Sequence, residues 1–140
     1  MQYFDEIVDI NDFQKHEKIC EGKFKKVFKV IHKKTNKIYA AKIPIKETYL
    51  FTEDEINEYY RDIVINARLN HPSINNFIGY SPVDFRRREK LVVVTDYATN
   101  GILSSITDSK EPKISGWDFT KKLINIYGIA SAMAYLHSHN

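Results

Sequence analysis

The chain holds one cysteine, Cys20, among its 140 residues. That excludes an internal disulfide framework and suits a reducing compartment. Long apolar runs are also missing: LVVV (91–94) and the segment before Asn140 are too short to span a bilayer. The opening MQYFDEIVDI carries acids and no basic n-region, so no secretory signal is expected. A formal net charge of +3 is far too small for a dedicated nucleic-acid binder, although it is compatible with phosphate-bearing ligands. Internal repeats and low-complexity linkers are absent as well. The expectation is a cytoplasmic protein that engages neither nucleic acid nor membrane. What is present, 43% hydrophobic and 28% charged residues, is enough for one folded domain and too apolar for a disordered chain.

Residues 3–16 mix acids, Asn and aromatics and read as an irregular or short helical lead-in. From Lys18 to Val30 apolar and basic residues alternate, which predicts two strands with Gly22 at their turn. KKTNK (33–37) is a polar turn, followed by a third strand, IYAAKIPI (38–45). Thr52 and Glu55 form an S/T-x-x-E capping box that opens a helix with acids in its first turn. Pro72 bounds that helix. NNFIGYS (75–81) and LVVVTDYA (91–98) read as strands around a charged turn at 85–90. NGILSSIT (100–107) opens a short helix, EPKISG (111–116) is a loop, and an amphipathic helix runs from Trp117 to the end. The order strand-strand-strand-helix-strand-strand-helix-helix is α+β with a mostly antiparallel sheet.

Lys42 is the residue with the most chemical content. It lies in a strand flanked by Ala40, Ala41 and Ile43, where an unpaired ammonium is costly and needs an anion. If period 2 turns it to solvent, it needs none. The following helix offers Asp62 as a counter-charge, with Glu58 one turn earlier. EGKFKKV, with its single Gly22, is a weak phosphate cradle and by itself reads first as an ordinary hairpin with Gly22 at its turn. His137 and His139 lack a third ligand and read as helix-end polarity. Arg86, Arg87 and Arg88 read as a solvated hairpin tip. Cys20 reads as an inert thiol, with activation by Lys23 and Lys25 as the sharper alternative.

Taken together, ICEGKFKKVFKV, YAAK, RDIVINARLNHPSI, LVVVTDYATNGIL and GIASAMAYLHSHN resemble, in order and spacing, the amino-terminal part of a eukaryotic protein kinase domain. The flavour is that of the Ser/Thr and tyrosine-kinase-like groups. The resemblance covers residues 13–140, after a lead-in of residues 1–12. It implies an N-lobe over about 13–95, a five-stranded antiparallel sheet plus one long helix. A hinge would follow at 96–100, and the first helices of the C-lobe at 101–140. It further implies that Lys42 pairs with ATP phosphates and that Gly22 and Val27 belong to the Gly-rich loop, with Cys20 and Lys25 standing where glycines are usual. Asp62 falls at the lysine-orienting acid, one methylene shorter than glutamate. Thr95 falls at the gatekeeper, while Asp96, Tyr97 and Ala98 resemble the hinge, the backbones of Asp96 and Ala98 facing adenine. Ile19, Val27 and Ala40 would roof the base.

In the family YLHSHN is followed by H-R-D-L-x-x-x-N and later D-F-G, which supply the catalytic Asp and the Mg²⁺ ligands. Neither motif occurs in these residues. The resemblance thus implies ATP and Mg²⁺ as cofactors and a protein substrate or regulatory partner, with no catalytic residue and no metal ligand in this stretch. The helix that closes the sequence is expected to expose an apolar face. A non-catalytic, kinase-like interaction or nucleotide-binding module is the alternative reading.

Overall fold

In the computed structural model, residues 6–107 and 116–139 are described. They form two compact units, one of residues 6–69 with 76–97 and the other of residues 70–75 with the described part of 98–139. The first unit is built on a five-stranded sheet in the order β1-β2-β3-β5-β4. Its strands are β1 (Phe13–Glu21), β2 (Lys25–His32), β3 (Ile38–Pro44), β4 (Phe77–Val83) and β5 (Glu89–Asp96). All neighbours run antiparallel. Helix α1 (Glu53–Arg68) lies between β3 and β4 in sequence.

The strand period of two sorts the apolar residues into two layers. Val30, Ala41, Val92 and Val94 are fully buried in one layer, joined by Ile10 and Phe13. On the other side, Ile63 of α1 meets Tyr80 and Leu91, with Tyr59, Phe77 and Val93 packed around them. Each fully buried Val or Ile side chain contributes about 1.5–3 kcal/mol relative to exposure. Helix α1 starts where the sequence indicates. Thr52 Oγ1 accepts from Glu55 N–H at 3.2 Å, and the Glu55 carboxylate accepts from Thr52 N–H at 2.9 Å. The helix ends at Arg68, and Leu69 is already extended, ahead of Pro72. Asn36 takes φ 55° in the β2–β3 turn, a left-handed conformation that Asn tolerates.

Two expectations for this unit change. The first strand begins at Phe13, not Lys18. Phe13 is buried edge-on against His32 and Tyr39, at 5.2 and 5.8 Å, but every later residue of β1 is exposed. An edge strand with one buried side chain leaves no apolar period to read. The lead-in, moreover, is partly extended: Ile7 forms a parallel bridge with Tyr80, and only Ile10–Asp12 makes a single helical turn. Val8 N–H donates to Tyr80 O at 2.9 Å, and Tyr80 N–H donates to Glu6 O at 3.0 Å.

In the second unit, α2 (Leu103–Thr107) is one short turn of helix, and α3 (Phe119–Ser138) starts after Asp118. The Asp118 carboxylate accepts from Lys121 N–H at 2.9 Å, which moves the helix start two residues beyond Trp117. Segment 70–75 packs on α3. Asn70 N–H donates to Tyr135 Oη at 3.1 Å, and His71 Nε2 lies 3.1 Å from Ser131 Oγ. Phe119, Leu123, Ile126, Tyr127, Ile129 and Met133 are exposed along α3. Of the loop read at 111–116, residues 111–115 lie outside the described residues.

Candidate functional site

The ladder determines which side chains meet. Val27 pairs with Lys42, and Lys42 with Val93; Ala40 pairs with Thr95. Residues directly opposite in a sheet share a face, so Val27, Ala40, Lys42, Val93 and Thr95 lie on one side. That is the side on which α1 packs, since Val93 belongs to the layer around Ile63. Lys42 is half-buried, Thr95 and Ala40 are buried, and Val27 is partly buried.

A cleft of about 50 Å³ at this face is lined by Lys25, Lys42, Tyr59, Asp62, Asn66 and Thr95 among others. Helical spacing explains the α1 contribution: Tyr59, Asp62, Ile63 and Asn66 fall three and four residues apart, on one stripe. Asn66 Nδ2 donates to the Asp62 carbonyl at 2.7 Å, and Tyr59 Oη donates to the Leu91 carbonyl at 3.1 Å. Burial, with the Asp62 charge adding to it, pushes the Tyr59 phenol above the usual tyrosine range. The residue therefore stays a neutral donor at any physiological pH.

Lys42 and Asp62 share the cleft, yet no ion pair joins them or gives either another partner among the described residues. Burial, and then repulsion by Lys25, hold the Lys42 ammonium below the usual lysine range. Two cations therefore face one small cleft whose only carboxylate is an exposed one on α1. Such a site stabilises an incoming polyanion, because each negative oxygen relieves both desolvation and repulsion.

The remaining sequence-selected residues are dispersed. Gly22 sits in the β1–β2 turn, where its N–H donates to Lys25 O at 2.9 Å; a Cβ there would meet nothing closer than 3.7 Å. Ile19 is 44% exposed, inside the irregularity of the β1 ladder that falls between Lys18 and Cys20. Asp96 closes β5: its N–H donates to Asn76 O at 3.0 Å, and its carboxylate accepts from Asn76 Nδ2 at 2.8 Å. Tyr97 lies under Lys29, at 5.8 Å from the ring centroid. Ala98 is exposed and belongs to the second unit. Among the described residues no group of three or more His, Cys, Asp or Glu side chains is arranged to hold a metal, and His137 and His139 are in no such group. The roles of Tyr59 and Asn66 escaped sequence reading, although their spacing from Asp62 on a capped helix was available as a signal.

A five-stranded antiparallel sheet with one long helix, succeeded in the chain by helices, is the architecture of a protein kinase amino-terminal lobe and the start of the carboxy-terminal one. Residues 13–140 match the model of the protein kinase domain. The chain belongs to the protein kinase family. It is similar to Aurora kinase of Saccharomyces cerevisiae, 29% identical over 95% of this chain and 34% of that one. It is also similar to serine/threonine-protein kinase TNNI3K of Mus musculus, 30% identical over 94% of this chain and 15% of that one. A probable L-type lectin-domain containing receptor kinase II.1 of Arabidopsis thaliana is 30% identical over 89% of this chain and 17% of its own length. The chain thus spans about a third or less of these relatives.

Proposed function

We propose that this chain is the ATP-binding part of a protein kinase that transfers the γ-phosphoryl of Mg-ATP to Ser or Thr hydroxyls of protein substrates. The observation that carries this reading is Lys42, half-buried, without a carboxylate partner, and in one cleft with Lys25. A triphosphate is the polyanion that such a pair accommodates. Lys42 would hold phosphate oxygens, with Lys25 adding charge at the place of a usual glycine. Asp62 would orient Lys42 once α1 moves inward, and Val27, Ala40 and Ile19 would cover adenine, with Thr95 behind it. The backbones of Asp96 and Ala98 would bond the base edge, with Thr95 Oγ1 donating to the Asp96 carbonyl at 3.2 Å beside it. Residues 13–95, 96–100 and 101–140 would then be N-lobe, hinge and the start of the C-lobe, in a cytoplasmic enzyme acting on protein partners.

ATP, when bound, supplies the phosphoryl group, and this chain's residues bind and orient it. The family's Mg²⁺ ligands and catalytic Asp have no counterpart among these residues. Phosphotransfer by the 140 residues alone is not expected. The test is calorimetric titration of ATP into the chain and into Lys42→Met. At least a tenfold loss of affinity in the variant is expected from removing a charge-assisted contact; equal affinities would remove the phosphate role from Lys42.

A second reading, a non-catalytic kinase-like module, is favoured by one feature. The Gly22 N–H is consumed by the turn, and Cys20 and Lys25 stand where glycines would let backbone approach phosphate. No binding of ATP by either protein, with both chains folded, would favour it.

A further inference from the structure

The face of the sheet that turns away from Lys42 carries a second, larger cleft of about 330 Å³. Its charge is one-sided. Lys15, Lys26, Lys90, Arg86 and Arg88 line it, against the single carboxylate of Asp84. That carboxylate is already engaged, since it is almost fully buried and accepts from Arg88 Nε at 2.9 Å and Nη2 at 2.6 Å. Lys26 is balanced by Glu21 at 2.9 Å, and Glu47 acts on Arg88 and Lys90 from outside the lining. Lys15 and Arg86 have no carboxylate partner among the described residues. Lys90 is only 5% exposed; its ammonium donates to the Pro44 carbonyl at 2.9 Å and to the Ile45 carbonyl. Three hydrogens on an ammonium leave one more to give. β5 makes this arrangement, because period 2 puts Lys90 on the face of Val92 and Val94.

We infer that this cleft is a docking site for a phosphorylated Ser or Thr side chain of a polypeptide, with Lys15, Arg86 and Lys90 receiving the phosphate. An anion with several acceptor oxygens matches cations converging from β1, β5 and the β4–β5 turn. Phe28, Ile43 and Phe85 supply an apolar wall beside the charges, suited to the residue next to a phosphorylated one. A nucleic acid fits less well, because the Phe28 ring is covered by Lys15 Nζ at 3.9 Å from its centroid and offers no open face to a base. A flat lipid surface fits less well, because Lys90 is reached only by a group that enters the cleft.

The test is fluorescence anisotropy of a labelled, flank-randomised phosphoserine peptide pool with the wild-type chain, with Lys15→Gln/Arg86→Gln, and with Lys42→Met. The double variant leaves the Asp84–Arg88 pair and both Lys90 carbonyl bonds in place, so its fold is checked by an unchanged melting temperature. Wild type should prefer the phosphorylated pool over its unphosphorylated twin by about tenfold or more. The double variant should lose that preference and Lys42→Met should keep it. Equal binding of the two pools, or a preference that survives in the double variant or disappears in Lys42→Met, would overturn the assignment. So would displacement of the peptide by single-stranded oligonucleotide, or by vesicles with phosphatidylinositol phosphate, at lower phosphate concentration than the peptide itself needs.

Discussion

Replacing Gly79 by alanine would put a Cβ 2.4 Å from the Glu6 carbonyl oxygen and 2.6 Å from Val8 Cγ1. The first neighbour is backbone, so rotation of a side chain cannot relieve it. At φ 159° the residue also has a backbone conformation that side-chain-bearing residues rarely take. The lead-in must therefore lift off β4. That breaks the Val8 N–H to Tyr80 O and Tyr80 N–H to Glu6 O bonds, worth about 1 kcal/mol each. Residual crowding and strain add roughly 1–3 kcal/mol. Against this, alanine narrows the unfolded ensemble and returns about 0.4–1 kcal/mol. The steric term wins, with a net loss of roughly 2–4 kcal/mol, or about 6–12 °C in melting temperature for a chain of this size. Ile10 and Phe13 remain anchored in the core, so the damage should be local. Far-UV circular dichroism melts with amide exchange at Tyr80 measure both parts. A melt within about 1 °C of wild type, with Tyr80 protection unchanged, would refute the reasoning.

Thr52→Ala should cost about 1 kcal/mol by opening the capping box, read by urea denaturation, while Thr52→Ser should recover most of it. At Asp84, burial raises the carboxyl pKa, but the Arg88 guanidinium and the Arg86 and Arg88 amides more than offset it and hold it below its ordinary value. A depressed carboxylate stabilises the fold above its unfolded value and loses that contribution as pH falls through the folded one. Asp84→Asn should therefore be less stable by about 1–2 kcal/mol at neutral pH, discounting the exposed Arg88. The gap should narrow as melts are taken from about pH 5 to about pH 2; a constant gap would deny the carboxylate its role. An anion beside Lys42 favours the charged amine and raises its depressed pKa. ATP binding should thus take up protons on the alkaline side of neutrality, seen as a buffer-dependent heat in calorimetry that is absent in Lys42→Met.

What the residues determine alone is what depends on neighbours in the chain. The capping box, the polar turn at Asn36, the alternation of β2 and the apolar, β-rich segments that become β3 and β5 are local, and so were legible. They settle the element order and, with the motif spacings, the family. The start of β1, residues 13–17 ahead of the expected Lys18, was not legible, because an edge strand exposed at every residue after Phe13 has no apolar phase there, and only the ladder to β2 reveals it. The lead-in was not legible either, since its partner Tyr80 is far away in the chain. Tertiary structure alone brought Tyr59 and Asn66 to the Lys42 cleft and left Asp62 there without an ion pair. It also joined Lys15, Arg86 and Lys90 on the opposite face. In each case the reason is physical: burial and charge proximity are properties of space, and a sheet whose chain order differs from its strand order sets together residues that the sequence keeps apart.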